Sequence, residues 1–261
     1  MLIALPVSKA DYKLALQLVE HVSRIGGIRP HKWLLVFTHN IPDKERKAIE
    51  ARAAQGGDIA ETVVLEPMDE SGWPKSCNAL FFETARVVEK AGAYGEPCWY
   101  FFEPDNTPVV PQWADLFQRE YTQARKPYLG VIHDTWYSSP STGKRFTKGR
   151  HMVGTGIYPP KLLSACRLMR HVKMTPWAFD VFLQWEVVPQ THHTELIQHN
   201  WQTAKYRRQG ASIVCSPNTP RTGDLYSQPL REGIAVVHGC KDGSLIKVLS
   251  EPEQPTKSNK K

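Results

Sequence analysis

The feature that most constrains the fold is the alternation of short apolar runs with helical segments across the first hundred residues. Four runs are predicted to be β-strands, because each is short and rich in apolar or β-branched residues: residues 2–7, 33–37, 61–65 and 98–102. The segments between them predict three helices: one after Asp11 that ends at Gly26, one at 43–54 and one at 76–91. This order predicts an α/β fold with a mostly parallel central sheet flanked by helices, which binds ligands beyond the carboxyl ends of its strands.

The second half of the chain is less regular. It predicts helices at 113–124, 160–171 and 176–186, strands at 128–132, 151–158 and 234–238, and a polar, basic loop at 133–150. The sequence contains neither an internal repeat nor a linker, so we predict a single domain over residues 1–250. Residues 251–261 are rich in lysine and proline and are predicted to form a disordered, basic tail.

Composition and missing motifs exclude several classes of protein. The chain has 261 residues, 41% of them hydrophobic, which argues against intrinsic disorder. No run approaches the roughly 20 apolar residues of a membrane span, and the five cysteines have neither CxxC nor zinc-like spacing. We therefore expect a cytoplasmic protein with reduced thiols. The absence of GxxxxGK[ST], GxGxxG and GxSxG motifs argues against P-loop, dinucleotide-binding and hydrolase functions.

The segment with the most chemical information follows the aromatic run at 98–102. There Glu103-Pro104-Asp105 places two carboxylates, two positions apart, in a turn that Pro104 stiffens. Hard divalent ions such as Mg²⁺ and Mn²⁺ take oxygen ligands, commonly one or two carboxylates together with substrate phosphates. The pair therefore predicts a divalent metal site, with an ordinary acidic turn after a strand as the alternative.

The surroundings of this pair resemble the GT-A glycosyltransferases, whose fold is Rossmann-like. A strand leads into Glu103 and Asp105, and Pro108, Pro111 and the helix at Trp113 follow. In that family the acidic motif holds a metal ion on the diphosphate of a nucleotide-sugar donor, although its first residue is more often Asp than Glu. The resemblance implies a metal-dependent glycosyltransferase that uses Mn²⁺ or Mg²⁺ and a nucleotide-diphospho-sugar, with a UDP-sugar as the first candidate.

The same resemblance assigns residues near the carboxyl end of the chain. The family often supplies a third metal ligand from a histidine that follows a late strand, and His238 after Ile234-Ala-Val-Val matches that position. Lys241 and Ser244 would then contact the diphosphate. The alternative for His238 is a residue that caps a strand above a glycine-rich turn.

Three further residues are predicted to contact the donor. The segment Ser71-Gly-Trp-Pro-Lys-Ser-Cys-Asn78 resembles a donor-contacting segment of the family, so Lys75 would contribute charge and Asn78 would bind ribose or sugar hydroxyls. Gly154, in the run 151–158, would let the backbone approach the sugar closely. A loop with a helix cap, and a bulged strand, are the respective alternatives.

An inverting glycosyltransferase needs a carboxylate base near the acceptor hydroxyl, whereas retaining mechanisms differ. Asp180 is the first candidate for the catalytic residue, because the family often places an acid at a helix start downstream of its metal-binding motif. Glu186 and Asp134 are weaker candidates. The alternative for Asp180 is an acid that complements a helix dipole. Three other histidines, His192, His193 and His199, are predicted to be solvated or acceptor-side rather than metal ligands.

The acceptor is predicted from charge. The formal net charge is +7, and the loop at 133–150 contains a basic cluster consisting of Lys144, Arg145, Lys148 and Arg150. This favours DNA as the acceptor, in a role that resembles the bacteriophage glycosyltransferases of hydroxymethylated pyrimidines, which would act in the host cytoplasm. Trp136 and Tyr137 would then offer stacking surfaces for bases. Two alternatives remain: a glycan precursor or protein as the acceptor, and a nucleic-acid-binding protein that has lost catalysis. No pattern indicates an oligomeric state.

Overall fold

The computed structural model describes residues 1–68, 71–138, 145–200, 204–210, 212–217 and 228–251. At 135–138, 145–148, 204, 216–217 and 228–229 it describes the backbone only.

Strands and helices alternate through the first part of the chain, as predicted. The strands are β1 (Leu2–Val7), β2 (Lys32–Phe37), β3 (Asp58–Val64), β4 (Trp99–Phe101), β5 (Asn106–Pro108), β6 (Tyr128–Ser138), β7 (Arg145–Tyr158), β8 (Thr191–His193), β9 (Ile197–His199), β10 (Ala204–Gln209), β11 (Ser212–Pro217), β12 (Gln228–Pro229) and β13 (Val236–His238). The α-helices are α1 (Tyr12–Ile25), α2 (Asp43–Gly56), α3 (Lys75–Lys90), α4 (Trp113–Ala124), α5 (Leu162–Ala165), α6 (Phe179–Phe182), α7 (Gln184–Val187) and α8 (Ser244–Ser250). Short 3₁₀ turns occur at Gly92–Gly95, Arg167–His171 and Val188–Gln190.

The central sheet has seven strands in the order β3-β2-β1-β4-β7-β6-β8. Strand β7 runs antiparallel to both of its neighbours, while β3, β2, β1 and β4 pair in parallel, as do β6 and β8. All six residues of β1 are buried, which is typical of a sheet covered on both faces. The predicted α/β fold with a mostly parallel, helix-flanked sheet is confirmed.

Two apolar clusters cover the two faces of this sheet, because successive side chains of a strand point to opposite faces. Ile3 and Leu5 of β1 belong to a cluster with residues of α1, α2 and α4. Leu2 and Ala4 belong to a second cluster with Phe81 of α3. The sheet is thus fixed on both sides, and the carboxyl ends of its parallel strands are left to form a site.

A small sheet lies beyond the end of β4 and brings the two halves of the chain together. Strand β13 pairs antiparallel with β5 and parallel with β9. In this register His238 lies opposite both Asn106 and His199. Residues far apart in sequence therefore become neighbours directly after Glu103 and Asp105. A third sheet consists of β10, β11 and β12.

Three predictions for the second half were wrong. The segment predicted as a loop at 133–150 is largely strand, since β6 continues to Ser138 and β7 begins at Arg145. Its polar residues pair across the strands, as Asp134 does with Arg150, so no apolar alternation marks them. The helix predicted at 160–171 is interrupted where Cys166 adopts an extended conformation. The helix predicted at 176–186 is divided into α6 and α7, because Ala178 is not helical and Leu183 separates the two.

Candidate functional site

Glu103 and Asp105 lie in a tight turn between strands β4 and β5. Strand β4 is buried and carries the chain outward to Phe102, and the Asn106 amide donates to the Glu103 carbonyl at 3.0 Å, which closes the turn. Asp105 then directly precedes β5. Because β13 pairs with β5, the last residue of β13, His238, lies beside the turn. Sheet pairing thus delivers the imidazole to the two carboxylates.

These three side chains form one compact cluster. The Nε2 atom of His238 lies 3.3 Å from Glu103 Oε2 and 3.3 Å from Asp105 Oδ1. One ligand atom from each residue lies within 4.8 Å of the others, and no second such group of His, Cys, Asp or Glu occurs in the described ranges. Asp105 is 7% exposed and His238 9% exposed, whereas the Glu103 side chain is 31% exposed. The cluster is therefore buried on one side and open towards Glu103.

The cluster strongly perturbs its own protonation. Burial lowers the pKa of His238, but the carboxylates of Asp105 and Glu103 outweigh burial and raise it to about 10. Burial raises the pKa of Glu103, and contact with His238 only partly offsets this. Burial also acts to raise the pKa of Asp105, but the charges of His238 and Lys241 lower it overall. A positive charge beside the buried Asp105 and the partly exposed Glu103 therefore favours the ionised form of both carboxyl groups.

This donor set fits a divalent metal ion. Two carboxylate oxygens and one imidazole nitrogen suit Mn²⁺ and are compatible with Mg²⁺. Ionised carboxylates that lie next to one another repel, and a cation between them offsets that cost. The predicted ligands Glu103, Asp105 and His238 are thus brought together.

A fourth residue, His199, joins this cluster indirectly. Its Nδ1 atom lies 2.8 Å from Nδ1 of His238, on the side of the ring opposite the carboxylates. Beyond it, the ring of His133 lies 5.6 Å from the His199 ring, and the ring of His151 lies 5.9 Å from that of His133. Sequence reasoning did not single out His133 or His151, because no spacing within one element marks a set assembled from β6, β7, β9 and β13.

One cavity contains the cluster, and a second cavity adjoins the first. The first, of about 350 Å³, contains all three cluster residues and is also lined by Trp73, Cys77, His151, Val153, Gly154, Ala178, Phe179, Asp180, His199, Asn200, Gly239 and Lys241. The second, of about 610 Å³, lies at the carboxyl ends of β1 and β2 and is lined by residues that include Ser8, Lys9, Asp11, Thr38 and Asn40. Trp73, Cys77 and Lys241 line both. We call them the metal cavity and the strand-end cavity.

Predicted donor residues divide into two groups. Lys241 lines both cavities and Gly154 lines the metal cavity. Lys75 is exposed at the start of α3 and is not among the residues that line either cavity. Asn78 is fully buried and its amide donates to the Trp177 carbonyl at 2.8 Å. The Ser244 hydroxyl accepts from the backbone N–H of Tyr206 at 2.8 Å. Lys75, Asn78 and Ser244 stay predictions that the observed contacts do not support.

Asp180 faces the metal cavity, as the catalytic prediction requires. One oxygen accepts from the Val181 amide at 2.8 Å, and the other lies 3.7 Å from Nε2 of His151, which is buried. The two weaker candidates are engaged elsewhere. Glu186 accepts from the Arg167 amide at 2.7 Å, and Asp134 pairs with Arg150 at 2.9 Å.

The remaining predictions concern histidines and basic residues at the surface. His192 pairs with Glu120 at 3.2 Å and His193 pairs with Glu195 at 3.1 Å, both in half-exposed positions. Of the basic cluster, Arg150 is paired with Asp134, while Lys144 lies outside the described residues. The side chains of Arg145, Lys148, Trp136 and Tyr137 also lie outside them.

No helix of the described residues combines the length and apolar character needed to cross a membrane.

By sequence, the chain matches neither a protein-family model nor a curated protein. By structure it is similar to an active-site mutant of LgtC, with a TM-score of 0.52, 11% identity and coverage of 92% of this chain and 87% of that one. It is also similar to the glycosyltransferase GlyE of Streptococcus pneumoniae TIGR4, with a TM-score of 0.47, 13% identity and coverage of 74% of this chain and 45% of that one. A third similar structure is a CMP:2-keto-3-deoxy-manno-octonic acid synthetase with CTP, with a TM-score of 0.40, 9% identity and coverage of 74% and 89%. The first of these likenesses extends over nearly the whole chain, and the predicted GT-A-like fold class is confirmed.

Proposed function

We propose that this protein is a metal-dependent glycosyltransferase that moves a sugar from a nucleotide-diphospho-sugar to an acceptor hydroxyl. The observation that carries the proposal is the cluster of Glu103, Asp105 and His238 at the carboxyl end of a central strand, in a GT-A-like fold. Ligands of α/β sheets bind at this edge. The cavity that contains the cluster shares Trp73, Cys77 and Lys241 with a second cavity, and a donor with a nucleotide part and a sugar part requires two such adjoining spaces.

The division of the donor between the cavities follows from their size and lining. The strand-end cavity is the larger, and the hydroxyl, amide and carboxylate groups of Ser8, Asn40 and Asp11 can hydrogen-bond to a base and a ribose. The metal cavity would hold the sugar. Lys241 lines both, so its ammonium group would lie beside the diphosphate that joins the two parts.

Glu103, Asp105 and His238 would hold Mn²⁺ or Mg²⁺. When bound, the ion supplies Lewis-acid stabilisation of the charge that develops on the departing nucleotide diphosphate, worth several kcal/mol. The chain itself contributes the fixed position of the carboxylates. Because strands β4, β5 and β13 fix their backbones, the cluster needs little rearrangement for binding.

Asp180 is the proposed catalytic carboxylate. It lies on the wall of the metal cavity, in the first turn of α6, and the bond from the Val181 amide leaves its second oxygen directed to His151. In an inverting reaction a carboxylate at this place would take the proton of the acceptor hydroxyl as the hydroxyl attacks the sugar. Whether the sugar is a hexose or a pentose follows from the donor that binds.

DNA as the acceptor rests on the net charge of +7 and the basic residues around β6 and β7. The pairing of Arg150 with Asp134 weakens this support. A glycan precursor or a protein is the alternative acceptor, and the two metal-cavity carboxylates with Asp180 suit a hydroxyl-rich, uncharged group at least as well.

The proposal is tested by measuring binding of a panel of nucleotide-diphospho-sugars by calorimetry, with and without Mn²⁺. We expect wild-type protein to bind one donor class only when the metal is present. Asp105→Asn should lose this metal-dependent binding, because the variant removes one ligand charge at nearly constant volume. Asp134→Asn is the matched control, since Asp134 is half-exposed and pairs with Arg150.

Donor binding that ignores the metal, or that survives Asp105→Asn unchanged, would count against the metal site. No binding of any donor would leave a nucleic-acid-binding protein as the better description. Once a donor is known, its transfer to hydroxymethylated DNA and to saccharides decides the acceptor.

A further inference from the structure

We propose that His199 is a positioning residue that fixes the ring of His238 for metal binding. This inference rests on the proposed function, because it concerns the same metal site. It assigns a role to a histidine that is not itself one of the three metal-cluster residues, and that no sequence spacing connects to them.

A hydrogen bond joins the two rings. The Nδ1 atoms of His199 and His238 lie 2.8 Å apart, which is a hydrogen-bond distance between two ring nitrogens. Exactly one proton can lie between them, so one ring donates and the other accepts. The remaining nitrogen of His238, Nε2, is the one that faces Glu103 and Asp105, at 3.3 Å from each.

Metal binding at His238 would determine the direction of that hydrogen bond. A metal ion takes the lone pair of a neutral imidazole nitrogen, so a metal at Nε2 of His238 requires the proton of that ring to be on Nδ1. His238 then donates and His199 accepts. His199 in turn must carry its own proton on Nε2, an atom that is buried and has no partner in the described part of the chain.

The pairing of two strands holds the two rings in place. Strands β9 and β13 pair in parallel with His199 directly opposite His238, and the ring planes are only 20° apart. The backbone ladder thus sets the distance between the rings before any metal binds. The partner is unusual in its charge: metal-bound histidines commonly donate to a carboxylate or a carbonyl. Here a neutral ring completes the set, which adds no negative charge to a cluster that already has two carboxylates.

The experiment measures Mn²⁺ binding alone, without nucleotide, for wild type, His199→Ala, His199→Asn and His192→Ala. Mn²⁺ electron paramagnetic resonance gives the free-ion concentration and hence the dissociation constant. His199→Ala should weaken Mn²⁺ binding by about 10- to 100-fold, the usual effect of losing the partner of a metal-bound histidine. His199→Asn should restore most of it, because the amide oxygen can accept the same proton. His192→Ala should bind as wild type does, since His192 pairs with Glu120 away from the cluster.

A second measurement needs no variant and so does not depend on folding of His199→Ala. In protein loaded with Mg²⁺, ¹⁵N spectra of the histidine rings should show His199 with its proton on Nε2 and His238 with its proton on Nδ1. A proton on Nδ1 of His199 would overturn the inference, as would unchanged Mn²⁺ affinity in His199→Ala. Failure of wild-type protein to bind Mn²⁺ at all would instead overturn the proposed metal site, and this inference with it.

Discussion

Gly154 occupies a position where any side chain would collide with the wall of the metal cavity. A Cβ atom built there would lie 2.6 Å from Cζ of Phe179, a distance that real Cβ contacts do not show. Phe179 has little room to yield, because its ring stacks on that of Phe81 with centroids 3.8 Å apart. Phe179 also begins α6, the helix that contains Asp180. Packing against Phe179 therefore explains why glycine occupies this position, independently of any contact with a donor.

We accordingly expect Gly154→Ala to destabilise the protein by about 1–3 kcal/mol, the usual cost of overpacking a core. It should also lower the proposed transferase activity by moving α6 and Asp180. The double variant Gly154→Ala with Phe179→Leu should recover part of the stability, because the smaller side chain makes room for the methyl group. Chemical unfolding of the single and double variants checks this. Equal stability of Gly154→Ala and wild type would contradict the packing argument.

How much of the site the sequence could predict also depends on single residues. Glu103 and Asp105 could be predicted from the sequence because they directly follow an apolar strand, which places them at the ligand-binding edge. The partner His199 was not, since its role depends on which strand pairs with β13. The Ser244 hydroxyl accepts from the Tyr206 amide and the Asn78 amide nitrogen donates to the Trp177 carbonyl, while their contact with a donor stays a prediction. Residue type alone does not reveal such internal partners.

Among elements, those with long apolar patterns were predicted well and those with short ones were not. Helix α4 has the predicted limits, and α3 begins within one residue of them, because each buries one regular face. Strand β9 has three residues and β8 has three, too few for a periodic pattern to appear. These strands are stabilised by pairing partners distant in sequence, β13 and β6, rather than by their own propensity.

The contact between α1 and β5 gives a prediction about pH. His21 of α1 is buried, and its Nε2–H donates to the Pro108 carbonyl at 2.8 Å. Burial is the main cause that lowers the pKa of His21 below its ordinary 6.5; the bond to Pro108 opposes this and the charge of Arg24 adds to it. The unfolded chain therefore takes up a proton near pH 6.5 while the folded protein does not. The contribution of His21 is fully present above pH 6.5 and is lost progressively below it, as the pH falls through the lowered pKa of the folded protein.

We expect the free energy of unfolding in urea to decrease between pH 7 and pH 5.5, and His21→Gln to make this decrease smaller. Glutamine retains an N–H group for the Pro108 carbonyl but does not titrate. Part of the dependence of the unfolding free energy on pH should remain in His21→Gln, because other buried histidines, such as His31 and His151, also have a lowered pKa. His171→Gln is the control, since His171 is exposed. If the unfolding free energies of His21→Gln and wild type depend on pH in the same way, protonation of His21 does not affect stability through this contact between α1 and β5.

At the scale of the whole molecule, the two cavities meet at one exposed aromatic side chain. Trp73 is 77% exposed, yet it lines both the strand-end cavity and the metal cavity. Exposure of a large apolar surface next to a site is typical of a residue that a ligand covers. Trp185 is equally exposed, at 79%, but is not among the residues that line either cavity. The molecule thus contains its own control for the effect of a bound donor on an exposed indole.

A nucleotide-sugar that extends from one cavity to the other must pass beside Trp73 and should shield it from solvent. We therefore expect donor and Mn²⁺ together to reduce acrylamide quenching of tryptophan fluorescence in wild type and in Trp185→Phe. The same addition should have little effect in Trp73→Phe, because Trp33, Trp99 and Trp113 are fully buried already and the exposed Trp185 lines neither cavity. A reduction that persists in Trp73→Phe would mean that the donor does not join the two cavities, and the assignment of nucleotide and sugar to separate cavities would be wrong.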